Sequence, residues 1–297
     1  MRNHPQPRAY IALAAVCFFW GTTYVSIRMA LESFSPQMLV ALRFCLSGGI
    51  LLIVSKLMGA RLPRGRELWL TALNGVLVLG VGNGCLALSE VWIPSGLASL
   101  FISISPFWMV GIEALVPGGE KLHKPTIGGM LIGFAGAAIL VSRSIERGFG
   151  GPVLAGFLVL QIGSVGWSLG SILQRRQQTT PTHPVVSGAV QQLAAGVAFI
   201  VPALVGLWPV HPAARSVWAL LYLVVFGSIV GYSAYIYAMS HLPVAVVSIY
   251  TYINPMVAVA LGWLFYREPF GLREAVAMAV IFAGVAIVKA NTSRKPH

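Results

Sequence analysis

The sequence predicts an all-α integral membrane protein: ten transmembrane helices arranged as two inverted five-helix repeats around a central cavity. Three observations carry that prediction. Of 297 residues, 57% are hydrophobic and only 9% charged, and the mean hydropathy is +0.80, far from an ordinary soluble domain. Apolar runs long enough to cross a bilayer recur along the chain and leave only short connections, since ten spans of about 20 residues use about 200 positions. A proline pattern also occurs twice. Pro94 and Pro106 in IPSGLASLFISISPFWMVGIEALV are superimposed on Pro243 and Pro255 in LPVAVVSIYTYINPMVAVALGWLF by a shift of 149 residues.

Taken in order, the spans are predicted over 9–30, 36–55, 68–89, 94–116, 125–142, 152–174, 185–207, 217–239, 243–265 and 272–289. The first follows Arg2 and Arg8 but is too long and too aromatic (Phe18, Phe19, Trp20, Tyr24) for a signal-peptide h-region, so it reads as an uncleaved helix. Span 2 carries Arg43, and its repeat mate in span 7 is Gln191. Gly80, Gly82 and Gly84 in span 3 follow no strand and lack a nucleotide-binding register, so they serve helix packing. Spans 4 and 9 hold the twin prolines, each of which removes a backbone bond and frees the carbonyl four residues back, at Ile102 and Thr251. Such interruptions at matching places point to a transport site, or else to kinks that serve packing alone. Gly129 and Gly133 form a GxxxG in span 5, consistent with internal packing or with a weak homodimer of an otherwise monomeric chain.

The repeat extends beyond the prolines. PheAlaGly at 134–136 recurs at 282–284, Glu120 matches Glu268, Arg28 matches Arg175 and Trp20 matches Trp167. The halves are therefore 1–146 and 147–297, with five spans each. An odd number makes the second copy enter the membrane upside down, the architecture of secondary transporters.

Charge sets the orientation. With the N-terminus inside, inner segments hold 13 Lys and Arg residues, outer loops hold Arg143, Arg147, Arg215, Arg267 and Arg273, and Arg28 and Arg43 fall within spans. The positive-inside rule then predicts both termini in the cytoplasm. A net charge of +12 would suggest nucleic acid in a soluble protein, but here it is dispersed over short loops. Cys17, Cys45 and Cys85 lie in apolar spans and the six histidines in tails and loops, so no disulfide framework, metal site or cofactor is expected.

Ten short-looped spans, the five-plus-five repeat, TrpGly at 20–21, Arg43Phe44, SerPro at 105–106 and the pair FAGAAI and FAGVAI resemble the drug/metabolite transporter superfamily, EamA-like branch. Within it the chain is most similar to YddG-type exporters of amino acids and cationic drugs. The resemblance covers essentially the whole chain. It implies a bacterial inner-membrane exporter with a cavity lined by spans 1, 3, 4, 6, 8 and 9.

Helical spacing gives candidate binding residues independently. Ser99, Ser103 and Pro106 share a face of span 4, and Ser248, Thr251, Tyr252 and Pro255 a face of span 9. Span 8 offers Tyr232 and Tyr235, span 3 Asn83, span 1 Trp20 and Tyr24, and span 6 Trp167. Aromatic and hydroxyl groups gathered at mid-depth suit a small amphipathic solute, such as an amino acid. A lone serine on a membrane helix more often serves packing or bonds back to its own helix. Arg43, about 10 Å from the outer end of span 2 by helix rise, is either a carboxylate anchor or an interhelical hydrogen-bonding post; the second reading carries more weight. Pro106 and Pro255 are the expected hinges.

The eight acidic residues are all Glu and none is mid-span. Glu90 and Glu113 are expected to be solvated or paired. Proton-driven exporters place an ionisable carboxylate in the membrane, so its lack leans toward facilitated diffusion. An intramembrane enzyme would need a nucleophile with a base at depth, which the sequence does not offer. A channel-like facilitator is the remaining rival, distinguished by flux that does not saturate.

Overall fold

The computed structural model describes residues 7–119, 122–146, 150–177, 183–205, 212–242, 244–247 and 249–292. Eight helical segments are long and apolar enough to span a membrane: Pro7–Ala30, Pro36–Leu57, Arg66–Ser89, Ser95–Leu115, Lys124–Ser142, Gly150–Gln174, Pro184–Val205 and Ala214–Tyr235. Val244–Val247 with Tyr250–Tyr266, and Leu272–Thr292, complete spans 9 and 10. Starts follow local chemistry. Ser35 caps span 2 by accepting the Met38 N–H at 3.2 Å, with Pro36 in the first turn where its missing donor is no loss. Pro184 opens span 7 in the same way behind His183.

The packing obeys the inverted repeat. Span 2 packs on its mate span 7, and span 5 on its mate span 10. The other pairings exchange under the same operation: span 1 meets spans 8 and 9 as span 6 meets spans 3 and 4, and span 3 lies on span 7 as span 2 lies on span 8. Glycines bring the mated helices together. A Cβ on Gly129 would sit 2.9 Å from the Gly284 carbonyl oxygen, and one on Gly284 would sit 2.5 Å from both the Gly129 oxygen and the Gly133 nitrogen. The span-5 GxxxG therefore serves internal packing. Outward faces carry exposed apolar side chains such as Leu57, Leu115, Leu204 and Trp218, as a lipid-facing surface requires.

Two features depart from expectation. Spans 3 and 8 each contain a π-helical stretch, at Val76–Val81 and Leu223–Val230, which are repeat mates. The twin prolines, by contrast, are not structural equivalents. Span 4 is broken into Ser95–Ile102 and Ser105–Leu115, so Pro106 begins a helix instead of kinking one. Pro255 lies inside Tyr250–Tyr266, with the interruption earlier, beyond Val247. A proline at a helix start forfeits no intrahelical bond, whereas Pro255 removes one N–H from a helix interior.

Candidate functional site

A cavity of about 150 Å³ lies where the two halves meet, enough for a benzene-sized group. Its wall is built from both π-bearing spans, both interrupted spans and the two spans that carry the mated Trp20 and Trp167. Trp20, Tyr24, Arg43, Asn83, Ser99, Ser103, Trp167 and Tyr232 line it, as do Thr251, Asn254 and Pro255. The expected wall of spans 1, 3, 4, 6, 8 and 9 is joined by span 2 through Arg43 and Phe44 and by span 7 through Gln192.

One side is an aromatic cage. The Trp20 ring meets Trp167 edge-on at 6.4 Å, Tyr250 edge-on at 5.3 Å and Tyr235 at 5.1 Å. Its indole N–H donates to the Gly227 carbonyl at 3.2 Å, inside the span-8 π stretch. A π stretch shifts the i→i−4 ladder and can leave carbonyls available to side chains. Gly231 makes room for the ring, since a Cβ there would meet the indole nitrogen at 2.7 Å.

The other side is polar and holds one cation. Arg43 Nε donates to Ser228 Oγ at 2.8 Å and Nη1 to Asn83 Oδ1 at 3.4 Å, while the guanidinium stacks 4.9 Å from the Phe44 ring centroid. These bonds join span 2 to spans 8 and 3, as an interhelical post would. Yet Arg43 also faces the cavity, is only 6% exposed, and has no carboxylate in ion-pair range among the described residues. Next to it, Ser47 donates to Gln192, whose Nε2 donates to the Ser228 carbonyl at 3.4 Å. Gln191, the mate of Arg43, instead accepts from Tyr232 Oη at 2.9 Å.

The serines of span 4 bond back to their own helix: Ser99 Oγ donates to the Gly96 carbonyl at 2.6 Å and Ser103 Oγ to the Ser99 carbonyl at 3.0 Å. Their lone pairs still face the cavity, as acceptors. Tyr235 stands behind Trp20, and Ser248 lies outside the described residues. Tyr252 departs from the predicted face. It turns to span 10, where it meets Phe282 at 5.2 Å and lies under Lys289 Nζ at 4.4 Å. Within the continuous helix Tyr250–Tyr266 the cavity face is formed by Tyr250, Thr251, Asn254 and Pro255, and Tyr252 falls off that face. Tyr250, Gln192 and Ser164 were not singled out from the sequence.

At one end of the cavity the two halves are clasped together. Span 9 ends with Arg267 in the left-handed conformation (φ 53°), and the Glu268 N–H returns to the Gly262 carbonyl at 3.2 Å. Glu268 thus points back at the start of span 4, where it accepts from the Ser95 N–H at 2.9 Å, Ser95 Oγ at 2.8 Å and the Gly96 N–H at 2.9 Å. Arg28 Nη1 completes the clasp at 2.8 Å. At the opposite end, Arg176 joins Glu113 at 3.1 Å and the Pro117 carbonyl at 2.9 Å. Glu113 is therefore paired, as expected. Glu90 is not: it is buried, and neither oxygen has a hydrogen-bond partner among the described residues.

A family model described as the EamA-like transporter family matches residues 7–142 and 154–290. The uncharacterized inner membrane transporter YedA of Escherichia coli (strain K12) is 35% identical over 280 residues, covering 93% of this chain and 89% of that one. The uncharacterized transporter YvbV of Bacillus subtilis (strain 168) is 25% identical, over 99% of this chain and 95% of its own. A protein of Streptantibioticus cattleyicolor named "Probable terminal-alkyne amino-acid exporter" is 26% identical over 96% and 94% of the two chains. A solved crystal structure superposes with a TM-score of 0.68 and 21% identity over 97% of this chain and 99% of the other, a likeness of fold alone.

Proposed function

The chain belongs to the EamA-like transporter family, and from that premise we propose that it is a bacterial inner-membrane secondary transporter. It exports small metabolites, amino acids and aromatic ones among them, by alternating access of its two inverted halves. The observation that carries this reading is Arg43, a buried guanidinium facing the cavity with no carboxylate partner among the described residues, opposite the Trp20–Trp167 cage. A cation at this depth is costly unless an anion joins it. The carboxylate of an amino acid supplies that anion while its side chain enters the aromatic cage. The amino-acid exporter among the relatives supports the same substrate class.

The experiment is L-phenylalanine binding, read by quenching of intrinsic tryptophan fluorescence. Trp20→Ala and Trp167→Ala should each weaken it by the worth of one aromatic pair, about 0.5–1.5 kcal/mol, or up to about tenfold. Trp108→Ala should leave it unaltered, since that indole is engaged with Gln161 at 2.8 Å outside the cavity wall. Unchanged affinity in both cavity variants would place the site elsewhere.

The 13-to-five charge split supports an inner-membrane orientation with both termini cytoplasmic. In a background without the native cysteines, Ser144→Cys should react with an impermeant maleimide on intact cells and Arg64→Cys should not; the opposite pattern would reverse the topology. The hinges of alternating access are Pro106, Pro255 and the mated π stretches. Because only Pro255 interrupts a continuous helix, Pro255→Ala should slow transport more than Pro106→Ala. Equal rates in both variants would leave the prolines a packing role.

A further inference from the structure

Glu90 is the carboxylate the transport cycle has not used. It follows the span Arg66–Ser89 as its C-cap residue, with its N–H donating to the Leu86 carbonyl at 3.1 Å. Its side chain is 95% buried, the residue being 5% exposed, and neither Oε1 nor Oε2 has a hydrogen-bond partner among the described residues. An ionised carboxylate in that state is very unfavourable, and at a helix C-terminus the macrodipole adds to the penalty. A neutral carboxyl group removes most of it.

The surroundings give this proton a consequence. The groups that act on Glu90 are Arg28 and Tyr24 from span 1 and Glu268 from the turn after span 9. Burial first, and the Glu268 charge second, hold the Glu90 carboxyl well above the usual carboxylate range, with Arg28 opposing. Arg28 is committed to Glu268 in the outer clasp. Once ionised, Glu90 competes with Glu268 for the same guanidinium, and the clasp loses its cation. Glu90 itself lines neither cavity, but its neighbours in the chain line two. Leu86, one turn before it, lines the central cavity with Tyr24. Val91, just after it, lines an outer cavity of about 520 Å³ that reaches Glu268. The second half offers no equivalent: the 149-residue shift puts Met239 opposite Glu90.

We propose that Glu90 is a proton-binding site that couples export to proton entry by controlling the Arg28–Glu268 clasp. The proposal rests on the transporter reading above and replaces the facilitated diffusion expected from the sequence. With the outer end open, Glu90 takes a proton from water in the outer cavity, its charge vanishes, and Arg28 closes on Glu268. With the inner end open, the proton leaves past Tyr24 into the central cavity. Ionised Glu90 then draws Arg28 away and the outer end opens with substrate aboard. A sodium ion is a poorer occupant, because hard cations need several oxygen ligands together and Glu90 offers two.

The test needs no substrate. Spin labels on Val91→Cys and Phe270→Cys, in a cysteine-free background in nanodiscs, report the width of the outer end. The wild-type separation should lengthen as pH rises. Glu90→Gln should stay at the short, low-pH separation throughout, and Glu90→Asp should restore a response with a shifted midpoint. An unchanged titration in Glu90→Gln, a wild-type separation independent of pH, or a response to sodium at fixed pH would each overturn the proposal. Should Glu90→Gln not fold, an unshifted midpoint in Glu90→Asp overturns it and a shifted one supports it. In proteoliposomes, a pH gradient should drive L-phenylalanine efflux in wild type, and Glu90→Gln should lose that drive. If L-phenylalanine is not carried at all, the substrate reading fails, and the label separations still decide the role of Glu90.

Discussion

Replacing Arg43 with glutamine, the residue its repeat mate carries, is expected to weaken L-phenylalanine binding by about ten- to a hundredfold while leaving phenethylamine binding unchanged. The amine lacks only the carboxylate. A hydrogen bond to a charged group contributes about 1.5–3 kcal/mol, and each 1.4 kcal/mol is a factor of ten. Glutamine still reaches toward Ser228 and Asn83, which now receive bonds from Nε at 2.8 Å and Nη1 at 3.4 Å, so the link between spans 2, 3 and 8 is largely kept. A purely structural arginine would disturb both ligands equally, because a distorted cavity does not distinguish a carboxylate from its absence. Isothermal titration of the two ligands against both proteins decides between these outcomes, and equal losses would reject the anchor.

Gly284→Val should prevent stable assembly of the two halves. The new Cβ would sit 2.5 Å from backbone atoms of Gly129 and Gly133, and backbone cannot rotate aside as a side chain can. Overpacking a well-packed site costs about 1–3 kcal/mol when neighbours can adjust, and here they cannot. Spans 5 and 10 would have to separate, exposing the seam between the repeats. Gly128→Val is the matched control on the facing helix of the same pair, span 5, because nothing lies within 4 Å of its added Cβ. Size-exclusion profiles and thermal unfolding in detergent should show Gly284→Val aggregated or strongly destabilised and Gly128→Val unaltered. Equal behaviour would mean that this helix pair is not packed as described.

The fold was legible because it rests on patterns that survive in one dimension. Apolar run lengths mark the spans, and the matched prolines, PheAlaGly triplets and tryptophans mark the repeat, so the mated packing of spans 2 and 7 and of spans 5 and 10 follows. Trp20, Trp167, Arg43 and Asn83 could be placed at one site because helical spacing and repeat position agree on them. Spacing of i, i+3 groups Tyr252 with Thr251 and Pro255, which a broad helix face allows, but the cavity face centres on Tyr250, Thr251, Asn254 and Pro255 and leaves Tyr252 against span 10. The π stretches leave no mark in composition, since LVVFGSIV reads as ordinary apolar helix. Glu90 read as solvated or paired from its place at a span end, because its burial is made by the packed fold and its charged neighbours, Arg28 and Glu268, are far away in sequence.

The central claim is that this cavity carries an amino acid across the membrane in alternating fashion. Its most direct measurement is efflux of labelled L-phenylalanine from proteoliposomes holding the full chain, with and without unlabelled L-phenylalanine on the far side. A carrier predicts efflux that saturates with internal concentration and accelerates when substrate is supplied outside, because the returning site is then loaded. Efflux proportional to concentration and indifferent to external substrate would instead identify an open pathway, and no efflux above protein-free vesicles would remove L-phenylalanine as a substrate.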